Sequence, residues 1–79
     1  MKLHNEIEIA DFLKAVTEAQ GEVWLESYQG DKYNLKSTLS RYVAIAAMIG
    51  NHSDELELYC QKKDEHLFMK FFKDHPDSL

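Results

Sequence analysis

Cysteine and proline each occur once in the 79 residues and glycine only three times, and these scarcities exclude several kinds of protein before any motif is read. The lone Cys60 cannot close an internal disulfide, so the chain is no disulfide-stapled miniature and suits a reducing compartment. Cys60 alternates with Leu56 and Leu58 as an inward strand residue does, the setting of a small buried hydrophobe and not of a reactive thiol. With each glycine at a turn, no phosphate-cradling loop of glycine-lysine spacing exists, which argues against a kinase. No apolar run approaches the roughly 18 residues of a membrane span, and the opening Met1-Lys2-Leu3-His4-Asn5-Glu6 lacks the apolar stretch of a secretory signal. The expected compartment is the cytoplasm, with no membrane partner. Positive charge is also sparse. A formal net charge of −5 repels nucleic-acid phosphates and anionic lipid, and Lys62-Lys63 is followed at once by Asp64-Glu65.

What is present is enough apolar material, 44% hydrophobic and 11% aromatic, for one modest core and one domain spanning residues 1–79. Asn5 and Glu8 have capping-box spacing, and Ile9, Phe12, Leu13 and Val16 follow on one helical stripe. The pattern predicts a first helix from Glu6 to Gln20, closed by Gly21. Val23 to Tyr28 alternates and is rich in strand formers, Gln29-Gly30-Asp31 is turn chemistry, and Lys32 to Leu35 returns as a short second strand. A second helix carries Leu39, Tyr42, Val43, Ala46 and Ala47 on its apolar side, with Ser37 or Thr38 as N-cap and Gly50 as stop. Asn51-His52-Ser53 is the expected loop. Leu56, Leu58 and Cys60 mark a third strand, and Leu67, Phe68, Phe71 and Phe72 a third helix ending before Pro76, with a frayed tail.

The fold class is α+β: an antiparallel sheet with three helices on one face, preceded by at most a stub of strand in Met1 to His4. Strand alternation turns Val23, Leu25, Leu56, Leu58 and Cys60 toward the helices and Trp24, Glu26, Tyr28, Glu57 and Tyr59 toward the uncovered face. Three aromatics on that face make Trp24, Tyr28 and Tyr59 interface candidates.

The junction Asn34-Leu35-Lys36-Ser37 is the most informative stretch. It delivers a serine to a helix N-terminus, where unpaired N–H groups seat a side-chain oxygen or a phosphate, with Lys36 and Arg41 nearby. On this junction, its Gly-bearing hairpin turn and the element order, the chain resembles the HPr family, the histidine-containing phosphocarriers of the bacterial sugar phosphotransferase system, over Ile9 to Phe72. The resemblance implies an open-faced (β)αββαβα sandwich. It makes Ser37 the match of the serine that a dedicated ATP-dependent kinase modifies in Gram-positive members, Lys36 the lysine before it, and Leu39 and Tyr42 part of an apolar docking patch. The phosphocarrier segment departs from the family. Aligning Phe12 puts Asn5 where the family's histidine stands, Ile7 at its arginine and Glu8 at its proline; an amide cannot accept phosphoryl, and no guanidinium is ready to hold its charge. The expectation is a divergent, non-catalytic regulatory or protein-interaction domain with a partner of phosphotransferase or regulatory type and Ser37 as its phosphorylation candidate. The short first strand would leave the last strand with a bare edge, which raises a homodimer through that edge or through the aromatic face.

Two alternatives stand beside it: an active phosphocarrier using His4, and a single-stranded RNA binder stacking bases on the open sheet, against which Glu26 and Glu57 argue. No cofactor or metal is expected, because His52, His66 and His75 do not repeat at ligand spacing and Glu65 and Asp74 adjoin histidines only in sequence. His75 is expected to serve a helix C-terminus. Glu6, Glu8, Glu18, Glu22 and Glu26 read as a solvated acidic face, and Ser37 lacks the neighbouring base of a hydrolytic nucleophile.

Overall fold

The computed structural model describes residues 1–50 and 55–79. Asn51, His52 and Ser53 lie outside the described residues. The order is α1 (Glu6–Glu18), β1 (Val23–Glu26), β2 (Lys32–Asn34), α2 (Thr38–Ile49), β3 (Glu57–Cys60) and α3 (Glu65–Asp74), with 3-10 turns at Lys62–Asp64 and Pro76–Ser78. The three strands form an antiparallel sheet in the order β2-β1-β3. The α+β class expected from the sequence is therefore present, without a strand in Met1 to His4.

The Asn5 side chain starts α1 by accepting the Glu8 N–H at 2.9 Å, which satisfies one of the four free donors of the first turn. Phe12, Ala15 and Val16 then face inward. The helix stops at Glu18, short of Gln20, because two long-range side chains take over its end. The Lys36 ammonium donates to the Val16 and Ala19 carbonyls at 2.9 and 2.6 Å, and the Asp64 carboxylate accepts the N–H groups of Gln20 and Gly21 at 3.0 and 2.9 Å. Gly21 is required by closeness: a Cβ there would collide with the Gln61 side chain and sit 3.3 Å from Asp64 Oδ2.

The strands pair Trp24 with Asn34 and Tyr59, and Leu25 with Tyr33 and Leu58. Val23, Leu25 and Leu56 are buried, and Leu58 and Cys60 pack against the same cluster as Phe12, Val16, Ala44, Met48, Phe68 and Phe71. The expected facing of the strands is thus met, except at Tyr28. β1 ends at Glu26, and Tyr28 lies in the turn that Ser27 organises by exchanging bonds with Asp31, with Gly30 at φ +91°.

The tail is not frayed. Ser78 is buried, its carbonyl accepts the Lys2 N–H at 2.9 Å and its hydroxyl donates to Glu8 at 2.7 Å. Leu3, also buried, donates its N–H to the Met48 carbonyl at the end of α2, and the Met1 ammonium reaches the Leu56 carbonyl. Both ends of the chain are docked.

Candidate docking surface

The hairpin sets the start of α2. Leu35 is fully buried and donates to the Val23 carbonyl at 2.8 Å, so the chain leaving β2 is pinned to the sheet. Asn34 then folds the chain over: its Oδ1 accepts the Lys36 N–H at 2.9 Å, an Asx turn. Ser37 follows as the N-cap residue in extended conformation, and its carbonyl accepts the Arg41 N–H at 2.8 Å as the first helical bond. The Ser37 hydroxyl itself makes no capping bond, and the residue is exposed. Ser37 thus has the expected position without the expected capping role.

Lys36 precedes it in the chain and Arg41 follows four residues on, but each donates from its cationic group to backbone. Lys36 closes α1, and Arg41 Nε donates to the Leu35 carbonyl at 2.9 Å.

α2 turns most of the apolar side read from the sequence outward, with Ala47 the member that packs against the core. Its buried residues are Ala44 and Met48, with Ile45 and Ala47 half-buried beside them. Leu39 is 80% exposed, Tyr42 67%, Val43 55% and Ile49 49%, and Ala46 among them is exposed too. At spacings of three and four they form one apolar stripe facing outward from the domain. α2 is apolar on both sides, and the core takes the side of Ala44, Ile45, Ala47 and Met48. Leu39 and Tyr42, the docking candidates of the sequence, are exposed; Val43, Ala46 and Ile49 join the same stripe only once the helix is oriented.

The open sheet face is a separate surface. Trp24 and Tyr59 stack with centroids 5.6 Å apart at 12°, and the Lys32 ammonium stands 4.4 Å from the Trp24 ring centroid. Trp24 Nε1 donates to Glu26 and the Tyr59 hydroxyl to Glu57; that bond to a carboxylate, with the charge behind it, raises the Tyr59 pKa. Tyr28 does not join this pair. It is exposed in the hairpin turn, its hydroxyl accepting from Gln29.

At the other end of the molecule, Glu8 corrects the expectation of a solvated acidic face, whereas its partner His4 is exposed. Glu8 is buried, and its Oε1 accepts the His4 N–H, the His4 Nδ1–H and the Ser78 hydroxyl at 3.0, 2.9 and 2.7 Å. Burial pushes the Glu8 carboxyl up, but the hydrogen bonds from the His4 ring, Ser78 and the His4 backbone outweigh it and bring the pKa down to about 2. Asp64 is likewise buried, and its pKa is lowered by the Gln20 and Gly21 amides. His75 caps α3 through its backbone N–H, which the Phe71 carbonyl accepts at 2.9 Å, while its ring pairs with Asp11 of α1 at 2.8 Å. The Cys60 thiol is half-buried, and desolvation raises its pKa.

Among the described residues no group of three or more His, Cys, Asp or Glu side chains could hold a metal ion, and no helix is long and apolar enough to cross a membrane. No protein-family model, no curated protein and no solved structure matches the chain.

Proposed function

We propose that this chain is a non-catalytic, HPr-like regulatory domain that docks a protein partner on the outer stripe of α2 and is modified at Ser37 by a serine kinase. The observation that carries the reading is the stripe itself: Leu39, Tyr42, Val43, Ala46 and Ile49 stand in solvent on one helical face. Apolar surface of this extent on a regular helix has a use in partner binding and none in the monomer's own stability. Ser37 adjoins it at the N-terminal end of the same helix, exposed and free of a capping bond. A phosphate there would meet the open N–H groups of α2's first turn and the positive end of the helix dipole. Lys36 and Arg41 would have to exchange their carbonyl partners for it, so modification at Ser37 would loosen the end of α1 as it alters the docking face.

The strand order supports the resemblance as well, since the outer edge of β3 is where the family's first strand would pair. The His4 phosphocarrier alternative gains less, because His4 Nδ1 is engaged by Glu8. The RNA alternative gains less too: Glu26 and Glu57 flank Trp24 and Tyr59, and Lys32 already covers Trp24.

The test is intact-mass measurement after incubation with the HPr-type serine kinase and ATP. The chain should gain one phosphate, with ADP as the leaving product. Ser37→Ala should gain none, and Leu39→Gln with Val43→Gln should gain it more slowly because the kinase loses its apolar footing. No added phosphate, or one that survives Ser37→Ala, removes the proposal.

A further inference from the structure

One hydrogen bond fixes where every strand residue directs its backbone. Leu35 donates to the Val23 carbonyl from the β2 side, and a strand sends its polar groups alternately to its two neighbours. Val23 and Leu25 therefore bond toward β2, and Trp24 and Glu26 toward β3. Their partners Tyr59 and Glu57 spend their N–H and C=O groups on β1. Leu58 and Cys60 are left directing theirs outward, where β3 has no neighbour among the described residues. The preceding outward acceptor, the Leu56 carbonyl, is taken by the Met1 ammonium at 3.2 Å. Among the described residues the edge is thus closed at Leu56 and open at Leu58 and Cys60.

We propose that this edge pairs with the same edge of a second copy, antiparallel, about a two-fold axis at Tyr59. An open edge offering alternating donors and acceptors is complemented by itself reversed, and β3 (Glu-Leu-Tyr-Cys) carries neither of the usual edge guards, lysine and proline. The available groups select the register. Leu58 opposite the partner's Leu58 would bond only across the axis and would drive Cys60 onto Leu56, where Met1 already sits. Cys60 opposite the partner's Cys60 would carry Leu58 onto Lys62, which belongs to a 3-10 turn. Leu58 opposite the partner's Cys60 satisfies the outward N–H and C=O of both residues in both copies. It also sets Tyr59 against the partner's Tyr59 on the open face, extending the Trp24–Tyr59 stack across the axis, and sets Glu57 against Gln61 instead of a second glutamate. The pairing uses no residue of α2, so it stands or falls separately from the docking proposal.

Sedimentation equilibrium of the whole chain from about 1 μM to about 1 mM, a range spanning weak to moderate association, tests it. The mass should climb from 9.2 kDa toward twice that value. Tyr59→Lys sets two ammonium groups face to face at the axis but lies on the open face, so it should keep the wild-type circular dichroism spectrum and stay at monomer mass. In a Cys60→Ser background, Tyr59→Cys should cross-link two copies under a copper–phenanthroline oxidant, because opposed non-hydrogen-bonded residues have Cα atoms roughly 4.5 Å apart; Glu57→Cys should not. A constant monomer mass, a dimer indifferent to Tyr59→Lys, or equal cross-linking at positions 57 and 59 overturns the pairing.

Discussion

Glu8 is the residue on which most of the buried polar structure converges. Its carboxylate takes donors from His4, four residues back, and from Ser78, at the far end of the chain. A carboxyl ordinarily titrates near 4.5, whereas Glu8 is held to about 2. Between these values the folded state binds fewer protons at this site than the unfolded chain does. Its contribution to stability is therefore complete above pH 4.5 and is lost as the pH falls toward 2. Urea titrations from pH 7 downward should show that loss, and Glu8→Gln should flatten it. The same substitution should cost about 1–3 kcal/mol at pH 7, because the Ser78 hydroxyl and the His4 amide lose a charged acceptor in a buried site. Only half of this cluster was legible in the sequence. Asn5 and Glu8 carry the capping spacing in plain view, but Glu8 reaches back to the His4 amide, and Ser78 lies 70 positions away, beyond any local pattern.

At the scale of elements, the helices and the hairpin follow from local chemistry, whereas the rotation of α2 does not. α1 has one apolar stripe and charged residues elsewhere, so its inward face was readable, as were the alternating faces of β1 and β3. α2 is apolar at nearly every position from Tyr42 to Ile49, and a helix of that kind gives two stripes of similar quality. The choice rests with tertiary packing, which sets α2 against β2 and takes Ala44 and Met48 into the core. Substitutions can read the rotation directly. Met48→Ala should lower unfolding free energy by about 2–5 kcal/mol, as truncation of a buried chain does. Leu39→Gln and Val43→Gln should each stay within about 0.5 kcal/mol of the parent in urea unfolding. The opposite ranking would mean that the stripe faces the core. Lys36 belongs to the same lesson. It is a cation beside Ser37 when read along the chain, and the closing group of α1 once the hairpin has folded back.

For the molecule as a whole, the question is what lets so short a chain hold together, since a core of this size leaves a narrow margin over conformational entropy. The radius of gyration, 11.3 Å, agrees with the roughly 11.6 Å of a fully compacted chain of this length. The two termini are clasped to each other: Lys2 donates to the Ser78 carbonyl, and the Ser78 hydroxyl donates to Glu8. Leu3 is driven into the core between them and satisfies a carbonyl at the end of α2. If this clasp acts as one unit, its members must be energetically coupled. A double-mutant cycle of Ser78→Ala with Glu8→Gln should therefore give an interaction energy of about 0.5–3 kcal/mol, with the denaturant slope unchanged because the surface exposed on unfolding is the same. Additive losses would mean that the tail is seated independently of Glu8, and the low pKa of that carboxyl would then have to come from His4 alone. The pH profile of the Ser78→Ala variant separates these cases: a clasped tail predicts that the acid loss of stability begins at the same pH but is smaller in extent, since one of the donors that favour the ionised carboxylate is gone.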